Sequence, residues 1–212
     1  VLDVRRPFAG DALPDSLAGH AGLVVLGGSM GAGDDAAHGW LTQVKELIRL
    51  AVSAEVPTWG ICLGHQLCAV ALGGAIARNP LGQQIGVLDV GWTEVDPLFA
   101  DVPRPARAVQ WNKDVVTRLP EGATVLARTP VGELQAARFA PTVWGVQWHP
   151  EAGRDVVRPW ADDDRDDATA RGIDLELYVE QVAAAEAELR ATWQPLASAF
   201  VEHTRAGHRA AT

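Results

Sequence analysis

Apolar positions along this chain fall into two alternating rhythms. Leu23, Val24, Val25 and Leu26 form a continuous apolar run closed by Gly27 and Gly28, the pattern of a strand buried on both faces. A glycine-rich loop follows through Gly33. Between Trp40 and Ser53, Leu41, Val44, Leu47, Ile48 and Ala51 recur at spacings of three and four, which predicts an amphipathic helix. Pro57 turns the chain into a second short strand, Thr58 to Ile61, and helical spacing resumes from Gly64 to Leu72 before Gly73 and Gly74 stop it. Two strand–helix units in series predict parallel strands joined by right-handed crossovers, and therefore an open α/β sheet with helices on its faces.

Beyond Gly74 the pattern turns β-rich, with strands expected at Ala75 to Arg78, Ile85 to Val90, Ala106 to Gln110, Val125 to Thr129, Leu134 to Phe139 and Val143 to Gln147, joined by short Pro- or Gly-containing turns. From Arg154 it becomes helical. The acidic stretch Asp162 to Asp167 reads as a solvated loop and helix start, because nothing groups its carboxylates around a metal-binding bend. An Ala/Glu/Leu-rich helix is expected from about Ile173 to Arg190, and a frayed tail from Gly207 to Thr212. The opening, Val1 to Arg6, reads as the end of a strand followed by a loop, so a first strand and helix are expected to precede Val1.

The composition is that of a globular protein: 212 residues, 48% hydrophobic and 21% charged. A formal charge of −9 argues against nucleic acid or an anionic membrane as a partner. No apolar run approaches the ~20 residues of a spanning helix, and no signal-peptide layout opens the chain, so the expected location is cytoplasmic. Two cysteines, Cys62 and Cys68, are too few for a disulfide framework and wrongly spaced for a Cys-x-x-Cys metal site. No metal or other cofactor is expected.

Gly60-Ile61-Cys62-Leu63-Gly64-His65-Gln66 sets a cysteine between glycines at a strand-to-helix junction, the geometry of a nucleophile elbow. The glycines leave room for a sharp turn, and the helix N-terminus directs its dipole at the sulfur, which favours a thiolate. Cys68, six residues on in an apolar helix, reads as a core residue. A nucleophile needs a base. The string Trp144-Gly145-Val146-Gln147-Trp148-His149-Pro150-Glu151 ends a buried strand at a histidine, and Pro150 keeps the chain extended so that His149 and Glu151 project to one side. The carboxylate can orient the ring while its other nitrogen faces Cys62. Leu63 N–H and Gly28 N–H are the candidate donors for a developing oxyanion.

Together these strings resemble the class I glutamine amidotransferase family, and the stand-alone members related to the glutaminase part of GMP synthase in particular. The resemblance runs from about Leu23 to Glu151. It implies a flavodoxin-like three-layer α/β fold, with an open, mostly parallel sheet between helices, supplemented by extra β-strands and C-terminal helices. Residues 1–160 would be the catalytic domain and 161–212 a helical extension packed on it. It also implies Cys62, His149 and Glu151 as the triad, Gly28 and Leu63 as the oxyanion hole, and Gly27, Gln66, Gln110 and Trp111 as substrate-binding residues. The implied reaction is hydrolysis of the glutamine side-chain amide through a cysteinyl thioester, with ammonia passing to an acceptor on a separate synthase subunit. Three positions depart from the family pattern: Asn112 stands where many relatives carry histidine, Gln84 where they often carry glutamate, and Ser29 where proline is common. A γ-glutamyl peptidase would use the same triad on a γ-glutamyl compound, and a binding or regulatory domain could retain the fold alone. Relatives of peptidase or chaperone type place a histidine directly after the nucleophile, whereas here Leu63 follows Cys62.

Overall fold

A computed structural model of the chain describes residues 1–210, with side chains described through Arg205. Strand β1 (Leu23–Val25) leads through the glycine-rich loop to helix α1 (Trp40–Ser53), and β2 (Thr58–Ile61) leads directly into α2 (Leu63–Ala71). The β-rich middle comprises β3 (Ala75–Arg78), β4 (Gln84–Asp89), β5 (Arg107–Asn112), β6 (Asp114–Arg118), β7 (Thr124–Arg128), β8 (Leu134–Ala140) and β9 (Val143–Val146). Helices α3 (Arg154–Asp163), α4 (Arg165–Ala170) and α5 (Leu175–Ala210) follow.

The central sheet has the order β1-β2-β9-β8-β7. β1, β2 and β9 are parallel, and β8 and β7 add antiparallel strands. The periodicity of α1 explains one layer: Leu41, Val44 and Ile48 pack with Leu67 of α2 against Phe139 and Val143 of the sheet. The opposite face of the sheet presents Trp59, Ile61, Trp144 and Val146 to Val179, Val182, Leu189, Trp193, Leu196 and Phe200 of α5. Each such apolar side chain, fully buried, contributes roughly 1.5–3 kcal/mol. The β4–β5 hairpin is fastened to α5 where Gln181 Oε1 accepts from Val87 N at 2.9 Å and Trp193 Nε1 donates to Arg107 O at 3.0 Å. The result is the three-layer α/β architecture expected.

Several local expectations differ. Leu23 to Leu26 is not buried on both faces: β1 is an edge of the described sheet, with Val24 46% and Leu26 57% exposed. The strand β6 has no counterpart among the expected elements, because Asp114 and Arg118 bracket only two apolar residues, yet its Val116 finds Ile76 of β3 across an antiparallel pair. Helix α5 runs through Pro195 to Ala210 because Trp193, Leu196 and Phe200 continue the buried stripe of Val182, Ala185 and Leu189. Gly207 to Ala210 are therefore helical, and the remainder of the expected frayed tail lies outside the described residues. The acidic stretch is the end of α3 and the start of α4, and Asp164 and Asp167 both accept from Lys113. The division expected after residue 160 falls within α3, and helices on both sides of it share one core with the sheet.

His65 of α2 lies wholly inside this core, beside Phe139 and against the Gly145 backbone. Burial holds the imidazole neutral and pushes its pKa down to about 3. The unfolded chain takes up a proton near pH 6.5 that the native state refuses, so His65 costs stability as the pH falls from about 6.5 toward 3. Urea unfolding of His65→Gln, compared with the unsubstituted chain, should remove an acid dependence of about 1.4 kcal/mol per pH unit in that window; parallel pH profiles for the two would contradict this.

Candidate active site

Cys62 occupies the single residue between the end of β2 and the start of α2. Its backbone sits at φ 52, ψ −106, a left-handed conformation that a non-glycine residue adopts at a cost on the order of 1–3 kcal/mol. It is held there from both sides: Cys62 N donates to Val146 O of β9 at 2.9 Å, and Gln66 N of α2 donates to Cys62 O at 3.1 Å. The two flanking glycines are steric necessities. A Cβ on Gly60 would lie 2.5 Å from the Gly64 backbone, and one on Gly64 would lie 2.0 Å from the Val25 carbonyl oxygen. The helix start can sit across β1 and β2 only without those side chains.

Around Cys62 the structure gathers residues from three separate stretches. Gly27 and Gly28, past the end of β1, are exposed. A Cβ on Gly27 would come within 2.9 Å of His149 Cε1 and 3.5 Å of Cys62 Cβ, and one on Gly28 within 2.9 Å of Leu63 Cδ2. Leu63 opens α2, so its N–H has no intrahelical acceptor. The loop carrying the glycines is braced by Asp35, which accepts from Lys45 Nζ and Thr42 Oγ1 at 2.6 Å each, and by Asp34, which accepts from Gly31 N at 2.7 Å.

His149 follows β9 by three residues, with its N–H donating to Val109 O of β5 at 2.8 Å. Its ring is buried, Nδ1 lies 2.7 Å from Glu151 Oε1, and a hydrogen bond joins the ring to Cys62. Burial alone would push the imidazole's pKa down. The charge and hydrogen bond of Cys62, with those of Glu151, outweigh it and raise the pKa to about 10. At neutral pH the ring is thus a cation between two acidic partners, a donor of protons next to a sulfur nucleophile.

The other expected positions lie nearby in different environments. Gln66 is buried, and its Nε2 donates to Asp114 O at 3.1 Å and to Gln147 Oε1 at 3.3 Å. Gln110 is fully buried, its Nε2 donating to Gln135 Oε1 at 2.5 Å, so its side chain faces the interior. Trp111 donates through Nε1 to Asp164 Oδ2 at 2.9 Å. Asn112 and Gln84 face each other across the β4–β5 pair and are joined by Asn112 Nδ2 donating to Gln84 Oε1 at 3.0 Å, while Gln84 Nε2 donates to Glu133 Oε2 at 2.7 Å. Asn79 donates to the other oxygen of Glu133. Cys68 is in the core, and burial pushes its thiol up to about 12. Two contributors to the site are absent from the sequence expectations. Gln147 holds Gln66, and Trp160 lies on the His149 ring with centroids 4.5 Å apart. The four-residue spacing of Trp160 and Asp164 at the end of α3 was the available sign that both reach one side of the helix.

Among the described residues no group of three or more His, Cys, Asp or Glu could hold a metal ion, and no helix is long and apolar enough to cross a membrane. The fold and this arrangement define a class: a three-layer α/β protein with a cysteine elbow facing a histidine–carboxylate pair. The family model for glutamine amidotransferase class-I matches residues 9–157, and the chain belongs to that family. It is 35% identical over 155 residues to a GMP synthase [glutamine-hydrolyzing] of Aeropyrum pernix, covering 71% of this chain and 29% of that protein. It is 30% identical over 143 residues to gamma-glutamyl peptidase 4 of Arabidopsis thaliana, covering 65% of this chain and 56% of the relative. The chain thus spans about a third to a little over half the length of these curated relatives. Among solved structures, a glutamine amidotransferase from Thermotoga maritima superposes with a TM-score of 0.81 at 28% identity, covering 92% of this chain and 84% of that one.

The glycine geometry separates fold from chemistry. Gly64→Ala drives a Cβ into the Val25 backbone and should cost at least about 3 kcal/mol, read as a lowered melting temperature. Gly27→Ala meets only the imidazole edge. It should leave melting nearly unchanged while lowering turnover at least about tenfold through displacement of His149.

Proposed function

We propose that this chain hydrolyses the side-chain amide of glutamine to glutamate and ammonia, with Cys62 as nucleophile, His149 as acid and base, and Glu151 as the group that orients His149. The observation that carries this reading is the imidazole of His149, bonded to Glu151 through Nδ1 at 2.7 Å and joined to Cys62 through its remaining nitrogen. Membership of the glutamine amidotransferase class-I family supports it.

In this mechanism the Cys62 sulfur attacks the amide carbon and the C=O electron pair moves onto oxygen, where the N–H groups of Gly28 and Leu63 receive it. Each such donor is worth about 10²–10³ in rate. Collapse of the tetrahedral species breaks the C–N bond, and His149 gives its proton to the departing ammonia. The now neutral His149 takes a proton from water, which attacks the γ-glutamyl thioester. Glutamate leaves, and the sulfur recovers its imidazolium partner. Gln66 contacts the substrate's glutamyl head, with its Nε2 occupied by Asp114 O and Gln147 so that its oxygen is left for the ligand. Gly27, Gln110 and Trp111 complete the surroundings of that pocket.

We assign residues 1–160 to the catalytic domain and 161–212 to an extension built onto it, as the shared core of α5 and the sheet supports. Two free cysteines and a thiol mechanism call for a reducing compartment, so we place the activity in the cytoplasm. Ammonia would pass to a separate synthase subunit. The GMP synthase relative supports this, since the segment it shares with this chain is 29% of its length. The similarity to gamma-glutamyl peptidase 4 favours one second reading, in which the same groups cleave a γ-glutamyl peptide.

Ammonia release from glutamine, assayed beside cleavage of a γ-glutamyl dipeptide, decides between the two; activity on the dipeptide alone would overturn the first reading. Cys62→Ala should abolish turnover and Cys68→Ala leave it nearly unchanged, while His149→Ala should cost about 10²–10⁴ in rate and Glu151→Ala less. The pH profile follows from the raised imidazole. Its protonated form is complete below the ordinary value of 6.5 and lost as pH rises through about 10. Turnover should therefore fall along an alkaline limb near pH 10, and Glu151→Gln should move that limb to lower pH. A limb that stays in place would remove Glu151 from the role.

A further inference from the structure

The matched family segment ends at Val157, in the first half of α3. The same helix then lays an aromatic ring on the proposed base. Trp160 and His149 have ring centroids 4.5 Å apart at an interplanar angle of 51°, and Trp160 meets Trp111 with centroids 6.0 Å apart. The end of α3 is anchored to β5 by one carboxylate. Asp164 accepts from Trp111 Nε1 through Oδ2 at 2.9 Å and from Lys113 Nζ through Oδ1 at 3.1 Å, while Lys113 also donates to Asp167 at 2.9 Å. With Trp111, Trp160 and His149 in successive contact, the anchor and the base lie on one continuous path of side chains.

We infer that Trp160 is a positioning residue for His149, holding its ring in line between Cys62 and Glu151, and that Asp164 anchors the end of α3 where Trp160 can do this. The inference rests on the role proposed for His149. Its physical basis is that two polar contacts define the ring's ends but not its tilt, and Glu151 is itself one-third exposed. An indole against the ring removes that freedom. The centroid separation also lies within the range at which an aromatic face attracts a cation, so Trp160 favours the imidazolium. The titratable groups facing the imidazole are Cys62, from the elbow before α2, and Glu151, from the loop after β9. β5 presents the Val109 carbonyl to the His149 backbone, and α3 presents the uncharged indole.

Nitrogen-15 NMR titration of the His149 imidazole in the full chain tests this without requiring turnover. Trp160→Leu, which keeps apolar volume but removes the aromatic face, should lower the midpoint by about 0.5–1.5 pH units, and kcat for glutamine should fall about 3- to 30-fold at unchanged KM. Trp160→Phe should recover most of both. Asp164→Ala should shift them in the same direction as Trp160→Leu by a smaller amount. A Trp160→Leu midpoint and kcat equal to those of the unsubstituted chain would overturn the inference, as would a Trp160→Phe as impaired as Trp160→Leu. If Trp160→Leu does not fold, an unchanged Asp164→Ala midpoint overturns it equally. Failure of every form to release ammonia would count against the proposed hydrolysis, and the NMR midpoint would still decide the role of Trp160.

Discussion

The approach of the Gly64 Cα to the Val25 carbonyl oxygen is the contact on which the site depends. A single Cβ at Gly64 would lie 2.0 Å from that oxygen, and one at Gly60 would lie 2.5 Å from the Gly64 backbone. Because both are absent, α2 can begin directly over the parallel pair β1–β2, leaving one residue to make the turn. That residue is Cys62, at φ 52. Its strain is offset by bonds to β9 on one side and to Gln66 on the other. The elbow is thus a consequence of sheet and helix packing, and no flexible loop is involved.

The same register supplies the partner. β9 pairs with β2, with Val146 opposite Ile61, so the chain leaving β9 passes beside the chain entering α2. His149 arrives there buried, and burial opposes its charge. Cys62 and Glu151 reverse that balance. Behind it the interior is polar but largely uncharged: Gln110, Gln135, Gln84 and Asn112 hand hydrogen bonds from strand to strand before the chain of carboxamides ends at Glu133. Hydrogen-bonded carboxamides are tolerated in such a place because they carry no net charge to desolvate. Gln66 and Gln147 form a second short relay next to Cys62. Trp59, Trp144 and Trp148 close the far side of the sheet against α5.

Where one residue's pattern decides its environment, reading the sequence sufficed. The stripe of α1, the glycine frame of Cys62 and the strand before His149 all follow from local spacing, and the structure has them as expected. Where the environment is made by distant parts of the chain, spacing was silent. Val24 and Leu26 read as buried because an apolar run carries no mark of an edge strand. β6 lacks the apolar length of a strand and exists through its pairing with β3. Gln110 looked like a pocket residue from its place in the chain, but the alternation of β5 turns it toward Gln135. Asp164 read as one carboxylate in a solvated run, and only the fold brings Trp111 and Lys113 to it. Long-range contacts of this kind leave no local period to detect.

The central claim is covalent, and a covalent intermediate can be isolated. The chain would be incubated with isotopically labelled glutamine, quenched in acid within the first turnovers and mapped by peptide mass spectrometry. A γ-glutamyl group carried on the Cys62 peptide, absent from the Cys68 position and lost when the sample is returned to neutral pH with hydroxylamine, is the predicted result. Ammonia released with no adduct on Cys62, or an adduct on any other residue, would contradict the assignment of Cys62 as nucleophile.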